Sequence, residues 1–255
     1  MSVKMIITDL DGTLLRSDGN ISERTKATLK RCQSRGIYVV IATARYWIGA
    51  EQYINEIQPD YEITTDGTLI HRHGEQVYSC NLEKETVNQI VQDLLSQDRK
   101  TEITVAVGRQ VFWNSEHISQ SKKLYKATYC DYTQPLDCSA NKIVAELDDC
   151  KIAERIAEKY NCRLQTYRAD NWYAFLPKSS SKVAAIKELA KKLNISLGDI
   201  AAFGDDKNDM EMLKICGTGV AVDNAIVEVK EIADCITLSN DEDGVAVWLE
   251  KQLEI

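Results

Sequence analysis

The strongest constraint in this chain is a short apolar run, Val3-Lys4-Met5-Ile6-Ile7, that leads straight into Thr8-Asp9-Leu10-Asp11-Gly12-Thr13. The run has the length and bounds of a buried parallel strand. It therefore places two aspartates at the strand's carboxyl end, where open α/β sheets hold their ligands. Carboxylates two residues apart raise each other's pKa unless a cation or hydrogen-bond donors compensate, and hard oxygen ligands of this kind suit Mg2+. An acidic turn after a strand, with Gly12 at positive φ, is the plain structural reading of the same residues. Partners further along the chain separate the two readings.

Strand and helix alternate after the cluster. Ser22 is placed to cap a helix with Ala27, Leu29 and Cys32 inside and Gly36 as its stop. Ile37 to Ala42 reads as a second buried strand ending in Thr43-Ala44-Arg45, and Tyr61 to Thr65 as a third ending at Asp66-Gly67. Leu69-Ile70 and Val77-Tyr78 form a hairpin around His73-Gly74-Glu75. From residue 81 the pattern changes. A helix striped by Val87, Ile90, Val91, Leu94 and Leu95 is followed by a hairpin turning at Gly108-Arg109, a strand from Lys142 and a helix through Ile152, Ile156 and Tyr160. A second hairpin then turns at Ala169-Asp170-Asn171. The parallel pattern resumes with a helix Lys182 to Leu193, packing Val183, Ile186, Ala190 and Leu193 inward. A strand Ile200 to Phe203 then ends in Gly204-Asp205-Asp206-Lys207-Asn208-Asp209. The expected architecture is α/β: a Rossmann-like doubly wound parallel sheet from residues 1–80 and 179–255, with an inserted α+β domain over 81–178.

Composition narrows the partners. At 255 residues the chain can bury a sizeable core, and a net charge of -8, concentrated in residues 179–255, argues against nucleic acid, which demands a basic face. No apolar stretch reaches the length of a membrane span and the N-terminus is unlike a signal peptide, so no membrane partner and a cytoplasmic location are expected. The eight cysteines lie far apart with no C-x-x-C pair and read as free, mostly buried thiols.

At the carboxyl ends of the parallel strands stand Asp9 and Asp11, Thr43, then Asp205 and Asp209, with Lys182 opening the helix before the last of these strands. Carboxylates, a hydroxyl and an amine on one sheet edge suit a divalent cation and a phosphoryl group. A carboxylate can attack phosphorus to form an acyl phosphate, while a hydroxyl and a lysine hold the equatorial oxygens. Taken singly, Lys182 is an ordinary solvated helix residue, Thr43 a helix cap, and Asp206 and Lys207 loop surface. Trp113, Tyr167, Trp172 and Tyr173 are ordinary core or hairpin pairs.

The motifs D-L-D-G-T at Asp9 to Thr13, A-T-A-R at Ala42 to Arg45, Lys182, and G-D-D-K-N-D at Gly204 to Asp209 resemble the four ordered motifs of the haloacid dehalogenase (HAD) superfamily of phosphatases. The long insert and the closing Glu242-Asp243-Gly244-Val245-Ala246 are similar to its Cof-like, type IIB branch, whose insert forms a cap. The likeness in motifs covers residues 1–80 and 178–250, and the insert matches in size and coarse pattern only. The resemblance implies roles. Asp9 is the nucleophile and a metal ligand. Asp11 is the general acid and base, offering its backbone carbonyl to the metal. Thr43, the Ala44 backbone, Lys182, Asn208 and Asn224 bind phosphate, and Asp205 completes the Mg2+ site, with Asp209 either a second ligand or a support behind it. Arg168 and Asp170, at a hairpin tip, are candidates for reading the substrate.

This sequence departs from the family pattern at three places. Ala44 stands where glycine is usual and Asp66-Gly67-Thr68 where Asn-Gly-Ala is usual, and Asp223 precedes Asn224 in place of a frequent glycine. The resemblance implies a Mg2+-dependent phosphatase that hydrolyses a small phosphorylated metabolite, such as a sugar phosphate, through an aspartyl-phosphate, with the cap closing over the cleft. A sugar phosphomutase and a non-enzymatic phospho-acceptor or metabolite sensor are the alternatives. The response-regulator form of acceptor carries its aspartate after the third strand, whereas Asp9 follows the first.

Overall fold

A computed structural model of the chain describes residues 3–115, 126–166 and 171–254. In chain order the N-terminal part contributes β1 (Met5–Thr8), α1 (Glu23–Ser34), β2 (Tyr38–Ala42), α2 (Trp47–Ile57), β3 (Tyr61–Thr64), β4 (Leu69–Arg72) and β5 (Glu75–Ser79). The middle contributes α3 (Lys84–Gln97), β6 (Ile103–Val107), β7 (Gln110–Trp113), β8 (Thr128–Tyr129), β9 (Lys142–Glu146), α4 (Cys150–Lys159), β10 (Cys162–Thr166) and β11 (Trp172–Pro177). The C-terminal part contributes α5 (Lys182–Leu193), β12 (Ile200–Gly204), α6 (Met210–Ile215), β13 (Thr218–Ala221), α7 (Val227–Ile232), β14 (Cys235–Ile236) and α8 (Gly244–Leu253).

The chain divides into two compact units, one of residues 1–44, 50–77 and 181–255, the other of residues 45–49 and 78–180. The first unit is built on a sheet ordered β14-β13-β12-β1-β2-β3-β4-β5. Its pairings from β14 across to β3 are parallel, and β4 runs antiparallel to β3. From β1 the chain winds outward through β2 and β3, then returns to lay β12 on the other side of β1. That reversal of strand order is the switch point at which loops from two neighbouring strands diverge and leave a crevice. Met5, Ile6 and Ile7 of β1 and Ala201, Ala202 and Phe203 of β12 are fully buried, as expected for strands covered on both faces.

The second unit carries a sheet ordered β10-β11-β9-β6-β7-β8, antiparallel except for the β7–β8 pair. Val87, Ile90, Val91 and Leu94 of α3 and Ala153 and Ile156 of α4 pack with Ile103, Val105, Ile143 and Phe175 of that sheet. The α/β core with an α+β insert is the architecture the sequence pattern predicts. Trp113 and Trp172 meet edge to face, ring centroids 6.4 Å apart, and the Trp113 indole donates to Glu102, which fits a packing role for both.

Local chemistry explains the helix ends. The Ser22 hydroxyl accepts from the Thr25 N–H and opens α1; Ser181 does the same with Ala184 for α5, which Asn194 closes in a left-handed conformation. Three expectations change in detail. In α1 the exposed Ala27 gives its place inside to Thr25 and Thr28. In α5, Val183 and Leu193 are only half-buried, and Lys182, Ala185 and Leu189 turn inward. The cysteines are free, as expected, yet only Cys32 and Cys216 are buried, and Cys150 is exposed. None of the described helices is long and apolar enough to cross a membrane.

Candidate active site

Asp9 follows the last residue of β1, and its backbone N–H is held by the Phe203 carbonyl of β12 at 3.1 Å. The chain then turns sharply through Leu10–Leu14, with Asp11 extended and Gly12 at φ 75°, and the Leu15 N–H closes the turn onto the Leu10 carbonyl at 2.8 Å. Gly12 is required twice over. Its φ lies where an L side chain is strained, and a Cβ there would stand 2.5 Å from an Asp205 carboxylate oxygen. The same turn brings the buried Thr13 hydroxyl to Asp205 Oδ1 at 2.7 Å.

Lys182 fills the space between the strand ends. Its Nζ donates to Asp9 Oδ1 at 2.6 Å and to Asp209 Oδ1 at 2.7 Å, and all three side chains are buried. Asp209 Oδ2 accepts the backbone N–H groups of Asp205 and Asp206 at 3.1 and 3.3 Å, which folds the loop after β12 around it. The first turn of α5 is set against the loop after β3: a Cβ on Gly67, at φ 85°, would lie 2.2 Å from the Ser181 carbonyl. Only a glycine there lets the helix that begins with Lys182 come so close.

Carboxylate oxygens of Asp9, Asp205 and Asp209 lie within 4.8 Å of one another. Burial drives the Asp9 carboxyl well above the usual range, an effect the Lys182 ammonium offsets in part and the charges of Asp209 and Asp205 reinforce. Asp205 is pushed up to about 6, first by burial, with the Thr13 hydrogen bond acting against it and Asp209 and Asp206 adding to it. Burial works against the Lys182 ammonium, but Asp209 and Asp9 hold its pKa above the ordinary lysine value. Three carboxylates and one ammonium, when all are ionised, leave two uncompensated negative charges among hard oxygen donors. That set fits a divalent cation of the Mg2+ kind.

The other sequence candidates sit as follows. Asp11 is exposed on the turn after Asp9. Thr43 is buried at the end of β2, its N–H donating to the Ile63 carbonyl and its own carbonyl accepting from the Asp66 N–H. Helix α2 begins at Trp47, and Ala44, next to Thr43, is half-buried. Asp66 is buried, at φ 57° in a left-handed turn with Thr65 and Gly67. Asn208 is exposed in the loop between Asp205 and Asp209. Asn224 donates from Nδ2 to the Gly12 carbonyl at 2.6 Å and accepts from the Asn240 N–H at 2.9 Å. Arg168, Asp170 and Tyr167 lie outside the described residues. Sequence reasoning assigns no role to Thr13 or Asn240. Thr13 lies inside the first acidic motif, but a threonine in a turn announces nothing about a carboxylate 192 positions away.

A doubly wound sheet with clustered carboxylates and a buried lysine at its switch point, in a chain that also carries a second α+β unit, is the arrangement of a class of α/β hydrolases. Comparison with known proteins agrees. The sequence matches the haloacid dehalogenase-like hydrolase family over residues 6–249. It is 29% identical to "Putative phosphatase YkrA" of Bacillus subtilis, over 96% of each chain. It is 28% identical to "5-amino-6-(5-phospho-D-ribitylamino)uracil phosphatase YitU" of the same organism, over 98% of each. A crystal structure of a haloacid dehalogenase-like hydrolase from Bacteroides thetaiotaomicron superposes with a TM-score of 0.82 at 26% identity, covering 98% of this chain and 99% of that one. The chain belongs to the haloacid dehalogenase-like hydrolases and is an enzyme of their phosphatase group.

Proposed function

We propose that the chain is a Mg2+-dependent phosphatase that hydrolyses a small phosphorylated metabolite, such as a sugar phosphate, through an aspartyl-phosphate on Asp9. The observation that carries this reading is the Asp9–Lys182–Asp209 triplet beside Asp205. Asp9 offers one carboxylate oxygen to phosphorus while Lys182 binds the other, so the nucleophile is aimed and its partner ammonium stands ready for the phosphoryl oxygens. Asp11, two residues on, protonates the leaving oxygen as the ester bond breaks, then takes a proton from water as the acyl phosphate is hydrolysed. Thr43, Ala44, Lys182, Asn208 and Asn224 are the proposed phosphoryl-binding groups. Asp9, Asp205 and Asp209 are the proposed side-chain ligands of Mg2+, joined by the Asp11 carbonyl. When bound, the ion neutralises the repulsion between the nucleophile and the phosphoryl group.

A metabolite-sized substrate is supported by the name of the relative YitU, whose substrate is a phosphorylated ribityl derivative. The test is a panel of phosphorylated metabolites assayed for phosphate release with Mg2+, with and without EDTA, on wild type and Asp9→Asn. Release that needs Mg2+ and is lost in D9N supports the proposal; D9N retaining most activity refutes the mechanism, and isomerisation without phosphate release marks a mutase.

A further inference from the structure

Asn240 opens a short turn near the C-terminus whose next two residues are acidic, yet it is only 7% exposed. Its Nδ2 donates to the Leu15 carbonyl at 2.8 Å, and its backbone N–H donates to Asn224 Oδ1 at 2.9 Å. Asn224 Nδ2 then donates to the Gly12 carbonyl at 2.6 Å. The two asparagines thus grip one turn at its middle and at its far end, the turn that follows Asp9 and carries Asp11 and Thr13. An amide whose oxygen is taken by the Asn240 N–H must present its NH2 to Gly12, so Asn240 also sets the orientation of Asn224. The neighbouring ties, Ser17 to Asp241 and Arg16 to Asp243, run from the same segment to the chain just beyond the turn, but the Ser17 pair is exposed and competes with water.

We infer that Asn240 is a positioning residue for phosphoryl transfer: by clamping residues 10–15 it holds Asp11 where protons are exchanged and keeps the Thr13 hydroxyl on Asp205. This rests on the reading of the site given above. Without the Asn240 side-chain amide the Leu15 carbonyl loses its donor, so the far end of the turn loosens while Asn224 still holds its middle at Gly12. Displacement of a reacting group by about 1 Å costs on the order of 100-fold in rate, so the loss falls on kcat rather than on binding of a small ester.

The test uses the full chain with p-nitrophenyl phosphate and Mg2+, comparing N240A, the isosteric N240D, N224A and the N224A/N240A double variant. The expected result is kcat lowered by about 10-fold or more in N240A and N240D with KM changed less than about 3-fold. The double variant falls no more than about 3-fold below the worse single one, because both act on one turn. Wild-type kcat in N240A and N240D, even with a lowered Tm, overturns the inference, as do losses that multiply in the double variant. If N240A fails to fold, kcat of N240D decides the matter by the same thresholds. D9N separates the two levels. Activity surviving in D9N refutes the reading of the site, whereas activity lost in D9N but kept in both Asn240 variants refutes this inference alone.

Discussion

Lys182 is an ammonium with 4% of its side chain exposed, held between two carboxylates. Removing one partner of a buried ionic group leaves the others uncompensated, at a cost of about 3–5 kcal/mol. Lys182→Met is therefore expected to lower stability in urea by about that much and to cut kcat by on the order of 100-fold or more, the loss typical of one removed transition-state donor. Wild-type kcat in K182M would show that the ammonium is structural only. Asp9, Lys182, Asp205 and Asp209 are legible in the sequence because each stands at a strand end or helix start that hydrophobic patterning locates. Asp205's bond to Thr13 and Asn224's to Gly12 are not, since they join residues 192 and 212 positions apart and depend on which strand lies beside β1.

At the scale of elements, the loop after β3 and the start of α5 are fitted to each other through Gly67. Gly67→Ala would place a methyl group against the Ser181 carbonyl and strain a left-handed residue, an effect of about 1–3 kcal/mol from the backbone alone. The expected outcome is a lower Tm together with a fall in kcat, because the displaced turn carries Lys182; a lower Tm with unchanged kcat would show that the helix start adjusts without moving its lysine.

Helices α1 and α8 are joined by Glu250, which accepts from Arg24, Thr28 and Arg31. The Arg24 bond, opposed by partial burial and helped by Thr28 and Arg31, holds the Glu250 carboxyl at about 2 against an ordinary 4.5. The folded state therefore binds this proton more weakly than the unfolded chain. The stabilisation is present above about pH 4.5 and is lost as pH falls toward 2. Glu250→Gln should lower stability by about 1 kcal/mol or less near neutrality, since the pair is half-exposed. The difference from wild type in urea midpoint should shrink through that acid window. A constant difference would contradict the assignment.

Element bounds are plain in the sequence where the pattern breaks cleanly: α5 runs from Lys182 to Leu193, as the pattern indicates, and the structure shows Ser181 and Asn194 closing its two ends. The inward face of α1 is harder to read, because Thr25 and Thr28 are buried while Ala27 faces water. A threonine hydroxyl can be satisfied inside, as Thr28 is by Glu250, so apolar spacing alone misplaces the stripe.

Across the whole molecule, the residues that meet at the site come from segments on both sides of a unit of about a hundred residues. If the carboxylates hold Mg2+ as proposed, binding stabilises the folded chain by about 2.7 kcal/mol when the ion is at 100 times its dissociation constant. Titrating Mg2+ into EDTA-treated protein should raise its Tm, and Asp205→Asn should blunt the rise. An identical rise in D205N would place the ion elsewhere. The most direct measurement of the central claim is acid quenching during turnover of a phosphomonoester, followed by peptide mass spectrometry. A hydroxylamine-sensitive phosphoryl group on the peptide carrying Asp9 is the predicted result. Turnover with no such adduct, or with the adduct on another residue, would contradict it.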